Sequence, residues 1–196
     1  MTVDLAILHT LALRLSDREI DARGYLTEIA QLLTRWVGCS RAGLWIFVET
    51  DRGPALHCVA MVGASTAQRI AAPIALPTDM IGVDHPEYFT SLLNEGCVVA
   101  DDARSHPSTL SFLRDYLVPE DVYSLLDVCH SVNGELFGVV TCEQVGRPIT
   151  WSARQLQTVR QFVSRAGLTL REASVALGVA YRRPSEGKAW NDTGWE

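Results

Sequence analysis

Apolar positions first recur at helical spacing near the start of the chain, where Leu5, Leu8, Ala12 and Leu15 share one face before Ser16-Asp17-Arg18-Glu19 interrupts. A plainer helix follows. Ala22, Tyr25, Leu26, Ile29, Leu32, Leu33 and Trp36 keep the i, i+3, i+4, i+7 spacing, with Asp21 placed to cap the start and Gly38 to end it. From 40 to 50 the pattern becomes that of a strand, rich in Leu44, Trp45, Ile46, Phe47 and Val48, and Asp51-Arg52-Gly53-Pro54 turns it toward a partner over 55–62. Residues 63–82 show weak periodicity and read as a long connection over the sheet, with a short helix near Gln68. Short helices opened by Pro86 and by Pro107 flank a strand over 97–100, and Pro119 stops the second of them.

Asn133-Gly134 is a hairpin turn between strands over 122–132 and 135–144. With those two residues as the turn, Val132 opposes Glu135, His130 opposes Phe137, Asp127 opposes Val140 and Ser124 opposes Glu143. Cys129 and Cys142 then lie roughly 13 Å apart along the ladder, too far for a disulfide. Leu125, Cys129, Leu136, Val140 and Cys142 make one face apolar, and Leu126, Val128, Phe137 and Val139 make the other so. A sheet apolar on both faces must be covered on both, which predicts an α+β three-layer sandwich around a central antiparallel sheet.

Ser152 and Gln155 form a capping-box pattern at the start of a long helix. Leu156, Val163, Leu170 and Leu177 recur every seven residues, followed three later by Val159, Ala166, Ala173 and Ala180, which predicts a coiled-coil seam and a homodimer. The competing reading is an amphipathic helix facing its own core, because Phe162 widens the stripe. Residues 1–180 are expected to form one domain and 181–196 a flexible tail.

The 196 residues suffice for one core of ordinary size, and 17 basic against 23 acidic residues give a formal charge of -6 with no clustered basic stripe, which argues against nucleic acid. No apolar run approaches the ~20 residues of a membrane helix, and the start shows no export signal, so the expectation is a cytoplasmic protein with no membrane partner. Five widely spaced cysteines without a C-x-x-C pair argue against structural zinc or a disulfide framework.

The order of these elements, together with Ala42-Gly-Leu-Trp-Ile-Phe, Tyr88-Phe89 with Leu92, Asp101-Asp102-Ala103 through Pro107, Phe112 and Tyr116-Leu117, and Ser124-Leu-Leu-Asp127 followed by Asn133-Gly-Glu-Leu-Phe-Gly-Val-Val140, resembles the GAF domain family over 5–177. The resemblance implies a sheet of five or six strands, terminal helices on one face and a ligand cavity under the connecting helices on the other. It also implies a non-catalytic sensory or regulatory module, here taken as a dimer from the heptad seam, whose unidentified small molecule and cofactor the sequence does not name. Two further readings stand beside it: a dimerisation domain with a collapsed cavity, and a small redox enzyme of the free-methionine-sulfoxide-reductase type using Cys97.

For the cavity wall the resemblance points to Phe89, Phe112 and Tyr116, and for its rim to Asp101 and Arg104, the latter placed to meet an anionic ligand; the alternative is a turn at Asp101 and a solvated Arg104. The register puts Ser124, Leu126, Thr141 and Glu143 on the more polar sheet face, taken as the cavity side; an odd-length turn would reverse that choice. Asp127 reads as a structural carboxylate tied to a loop amide. Cys129 and His130 point to opposite faces and do not make a dyad. The cysteine that attaches bilins in photoreceptor relatives is absent from 103–124, and the Asn-Lys…Phe…Asp-Glu signature of cyclic-nucleotide members has no counterpart.

Overall fold

The computed structural model describes residues 4–63, 72–179 and 181. Helix α1 (Leu5–Ser16) starts at Asp4, whose side chain accepts the Ala6 N–H. Helix α2 (Ala22–Leu33) starts at Asp21, whose Oδ1 accepts from Gly24 N at 2.7 Å, and runs on as one wider turn, Thr34–Gly38. Seven strands follow in chain order: β1 (Arg41–Thr50), β2 (Gly53–Gly63), β3 (Ala72–Pro73), β4 (Met80–Ile81), β5 (Cys97–Ala100), β6 (Val122–Val132) and β7 (Glu135–Val145). They pair antiparallel in the order β3-β2-β1-β7-β6-β5, with β4 also on the outer side of β2. Helix α3 (Pro86–Glu95) leads into β5, and α4 (Ala153–Ala176) closes the fold behind the Ser152–Gln155 capping box.

The sheet separates two cores. On one side α1, α2 and α4 pack over Leu44, Ile46, Leu126, Val128, Val140 and Cys142. On the other, α3 and the turns over 107–117 pack over Trp45, Phe47, Cys58, Val98, Leu125 and Val139. The α+β three-layer arrangement expected from the two-faced hairpin is therefore observed. Residues 107–117, expected as one helix, are a 3-10 turn (Pro107–Phe112) followed by a wider turn (Leu113–Leu117).

The Asn133-Gly134 turn forms as expected, both residues with positive φ, and Val132 pairs with Glu135. Beyond it the register differs. Ser131 pairs with Leu136 but His130 pairs with Gly138, so Phe137 is bulged out and Asp127 opposes Thr141 rather than Val140. Gly138 permits this close approach: a Cβ there would lie 1.9 Å from the Trp45 carbonyl oxygen and 2.7 Å from His130 Nε2. The bulge shifts β7 by one position relative to the expected faces. Cys142 therefore faces the helices beside Leu126, while Cys129 lies against the α3-side core; all five cysteines are free.

The expected coiled-coil seam of α4 is a correction. Val159, Val163, Ala166, Leu170 and Ala173 are buried in the chain's own helix-side core, with Leu156 and Leu177 partly buried against it, so that seam is not available to a partner. A seven-residue stripe and a core-facing stripe are the same signal over 24 residues, and the sheet took this one. The helix ends at Ala176, short of Ala180. Gly178 has positive φ, and Tyr181 pairs with Val48, packs its ring tilted against Phe137 and donates its hydroxyl to the Leu136 carbonyl, so it is not part of a free tail. The expected helix near Gln68 and the tail over 182–196 lie outside the described residues.

Candidate functional site

On the α3 side of the sheet, two carboxylates sit in a largely apolar layer, each held by a tyrosine from the covering segments. Asp127 of β6 is buried, and Tyr88 of α3 donates to its Oδ2 at 2.6 Å while Thr141 of β7 donates to its Oδ1. Glu143 of β7 is buried, and Tyr116 donates to its Oε1 at 2.5 Å. Arg41, at the start of β1, brings Nε to 2.9 Å from Glu143 Oε2, an ion pair without hydrogen-bond alignment, and reaches Glu120 through Nη1 and through the backbone carbonyl. Asp127 and Glu143 share a face because the bulge at Phe137 brings Thr141 opposite Asp127.

Burial pushes the Asp127 carboxyl up to about 7, with the Thr141 and Tyr88 hydroxyls opposing. Burial also pushes Glu143 up, against the pull of Arg41 and Tyr116. A folded carboxyl that holds its proton up to about pH 7, where the unfolded group releases it near 3.9, stabilises the fold most below pH 4 and loses that contribution as pH rises through 7. His130, lowered to about 4 by burial, acts in the opposite sense up to its ordinary value. The stability of wild type minus that of Asp127→Asn isolates the carboxyl. This difference is expected to fall by on the order of 2–4 kcal/mol between pH 4 and pH 8 in urea unfolding. A flat difference would mean that Asp127 is ionised throughout.

Two hollows open beside Tyr116. One, of about 720 Å³, lies among Arg41, Met61, Ile74, Asp115 and Glu120; the other, of about 560 Å³, among Trp45, Arg52, Asp79, His85, Ser111 and Phe112. They share Pro77, Thr78, Asp115 and Tyr116, so the two hollows adjoin at Tyr116 and are called the Tyr116 cleft. His85 puts Nδ1 2.9 Å from Ser111 Oγ and its ring 4.2 Å from that of Phe112.

Of the residues expected at a site, Tyr116 and Phe112 line this cleft, while Glu143 is buried and accepts the Tyr116 hydroxyl without lining it. Phe89 is fully buried against Phe47 and Tyr88 rather than facing open space, and Thr141 is engaged with Asp127. The rest lie elsewhere. Leu126 belongs to the helix-side core, because the bulge reverses the expected pairing of faces. Ser124 donates to the Asp101 carbonyl and accepts from Ile149 N, while Asp101 Oδ1 accepts from Trp151 N; these bonds tie the entry of α4 to the sheet. Arg104 donates to the Val122 and Leu117 carbonyls and stacks 3.7 Å over the Tyr123 ring, so it is a clamp on the strand entrance and not a receptor for an anion. Arg41, Trp45, Thr78 and Asp115 were not expected. A guanidinium at the head of an apolar strand was the one signal that pointed to Arg41.

The family model for the GAF domain matches residues 21–170. The chain belongs to the GAF domain family. Its fold is similar to that of the phycocyanobilin-bound GAF domain from a cyanobacterial phytochrome, at a TM-score of 0.64 and 12% identity over 89% of this chain and 98% of that one. The GAF domain of PixJ from Thermosynechococcus elongatus, in its blue-light-absorbing form, aligns at 0.61 and 18% over 80% and 89%. The GAF domain of an Acinetobacter phosphoenolpyruvate-protein phosphotransferase aligns at 0.61 and 9% over 91% and 100%. No functionally curated protein matches the sequence. GAF domains are sensory or regulatory modules, and among the described residues of this one no helix is long and apolar enough to cross a membrane.

Proposed function

We propose that this GAF domain is a non-catalytic, small-molecule-sensing module of the cytoplasm that works as a pair of chains, with the Tyr116 cleft as its ligand site. The observation that carries the proposal is the Arg41–Glu143–Tyr116 group: a buried ion pair and phenol directly under a cleft large enough for a metabolite. The bilin-bound structural neighbours support a small molecule as the partner of the fold. Cys97, the thiol of the redox-enzyme alternative, packs on the helix side of the sheet, away from the cleft, which supports a non-catalytic role. Five free thiols suit a reducing compartment.

Native mass spectrometry of freshly purified protein is expected to show a retained small molecule, lost when Thr78→Trp fills the cleft. A ligand-free dimerisation domain is the second reading, favoured by the closed packing of Phe89 and Leu92 of α3 against the sheet. It gains if nothing is retained and no metabolite in a panel raises the melting temperature.

Pairing, in this proposal, uses the outer face of α4, where Leu168 and Val175 stand seven residues apart at 58% and 52% exposure. Sedimentation equilibrium at micromolar concentration is expected to give a dimer, and Leu168→Glu with Val175→Glu a folded monomer. A monomeric wild type ends this part of the proposal.

A further inference from the structure

Resting on the reading of the Tyr116 cleft as the ligand site, we infer that its ligand is a cation, a small molecule bearing an ammonium or amidinium group on an aromatic or apolar body. The walls carry the carboxylates of Asp79, Asp84, Asp115 and Glu120 against the guanidiniums of Arg41 and Arg52, and Asp79 is held by His57 Nδ1 at 2.7 Å. Both guanidiniums are already engaged, Arg41 by Glu143 and Glu120 and Arg52 by Asp84 at 2.7 Å. His85 is the other basic side chain on the walls among the described residues, and burial lowers its pKa against the pull of Asp84 and Asp115. A carboxylate or phosphate entering here must break an existing ion pair and meet surplus negative charge.

Asp115 is the converse case. It is exposed at the junction of the two hollows, and among the described residues no ion pair or hydrogen bond neutralises it. Beside it, Tyr116 lines both hollows and donates its hydroxyl proton to Glu143, which makes its ring electron-rich. Trp45 supplies a second ring. Aromatic rings and an unmatched carboxylate around the cleft are the groups that hold an organic cation.

Tryptamine and indole-3-acetate share a ring system and differ in the sign of their charge. Titrated separately into the isotope-labelled chain, tryptamine is expected to shift the amide resonances of Thr78, Asp115 and Tyr116 saturably, and indole-3-acetate to leave them in place. Asp115→Asn, an exposed and structurally mild change, is expected to weaken tryptamine about two- to fivefold. Equal or tighter binding of indole-3-acetate, unchanged tryptamine affinity in Asp115→Asn, or binding of neither probe would each overturn the inference. An anionic molecule retained in native mass spectrometry would also overturn it while leaving the sensing reading intact; failure of both probes together with an empty metabolite panel removes both.

Discussion

Gly138→Ala is expected to leave little soluble, folded protein. The added methyl would sit 1.9 Å from the Trp45 carbonyl oxygen, which is backbone of the central strand β1, and 2.7 Å from the imidazole of His130. A side chain could rotate away, but the carbonyl can retreat only by breaking the pairing of Ile46 with Gly138 and of Trp45 with Val139. His130 itself bonds to the Trp45 backbone and is fully enclosed, so it has nowhere to go. Overpacking that displaces backbone in the middle of a sheet belongs with the changes that cost more than about 4 kcal/mol, most of the roughly 5–15 kcal/mol that holds a domain folded. Soluble yield and the urea midpoint measure the effect. An unfolding free energy within about 1 kcal/mol of wild type would show that β1 and β7 can separate at this point without loss.

Arg41→Met is expected to be the next most damaging single change, by about 3–5 kcal/mol at pH 8, because it strands Glu143 as a buried charge with one phenol for company. Part of that cost disappears at lower pH, where Glu143, already pushed up by burial, takes a proton and no longer needs the guanidinium. Adding Glu143→Gln to Arg41→Met is expected to recover most of the loss at pH 8, since an amide can still accept the Tyr116 hydroxyl. The double-mutant cycle read by urea unfolding at pH 5 and pH 8 decides the matter. A single-mutant cost below about 1 kcal/mol at both values would mean that water reaches Glu143 in the variant and the ion pair is dispensable.

How far the sequence carried this molecule is clearest in β6 and β7. Asn133-Gly134 placed the hairpin, and the apolar run on both sides required two covering layers, which α3 and the three terminal helices provide. The same apolar run hid the bulge at Phe137: when both faces are buried, hydrophobicity no longer distinguishes one register from the next, and only the steric need for Gly138 records the shift. That hidden slip is why Leu126 was expected in the cavity and Asp127 was not placed beside Tyr88. Arg104 was misread for a different reason. Its partners are the carbonyls of Leu117 and Val122, and backbone acceptors leave no trace in a residue pattern. Tyr116, Phe112 and Glu143 were legible because an aromatic on a short turn and a lone carboxylate in an apolar strand stand out from their surroundings. Thr78 and Asp115 meet only when the connection after β3 folds over the turn at 113–117.

Cys142 and Glu143 are consecutive residues of β7, yet one is packed beneath the helices and the other is buried on the α3 side, holding Tyr116 of the cleft wall. No layer of solvent or loop separates the two environments; the partition between them is a single thickness of main chain. A displacement of Glu143, whether by protonation, by loss of Arg41 or by a guest that draws Tyr116 away, is therefore a displacement of the surface on which the terminal helices rest, transmitted across one peptide bond.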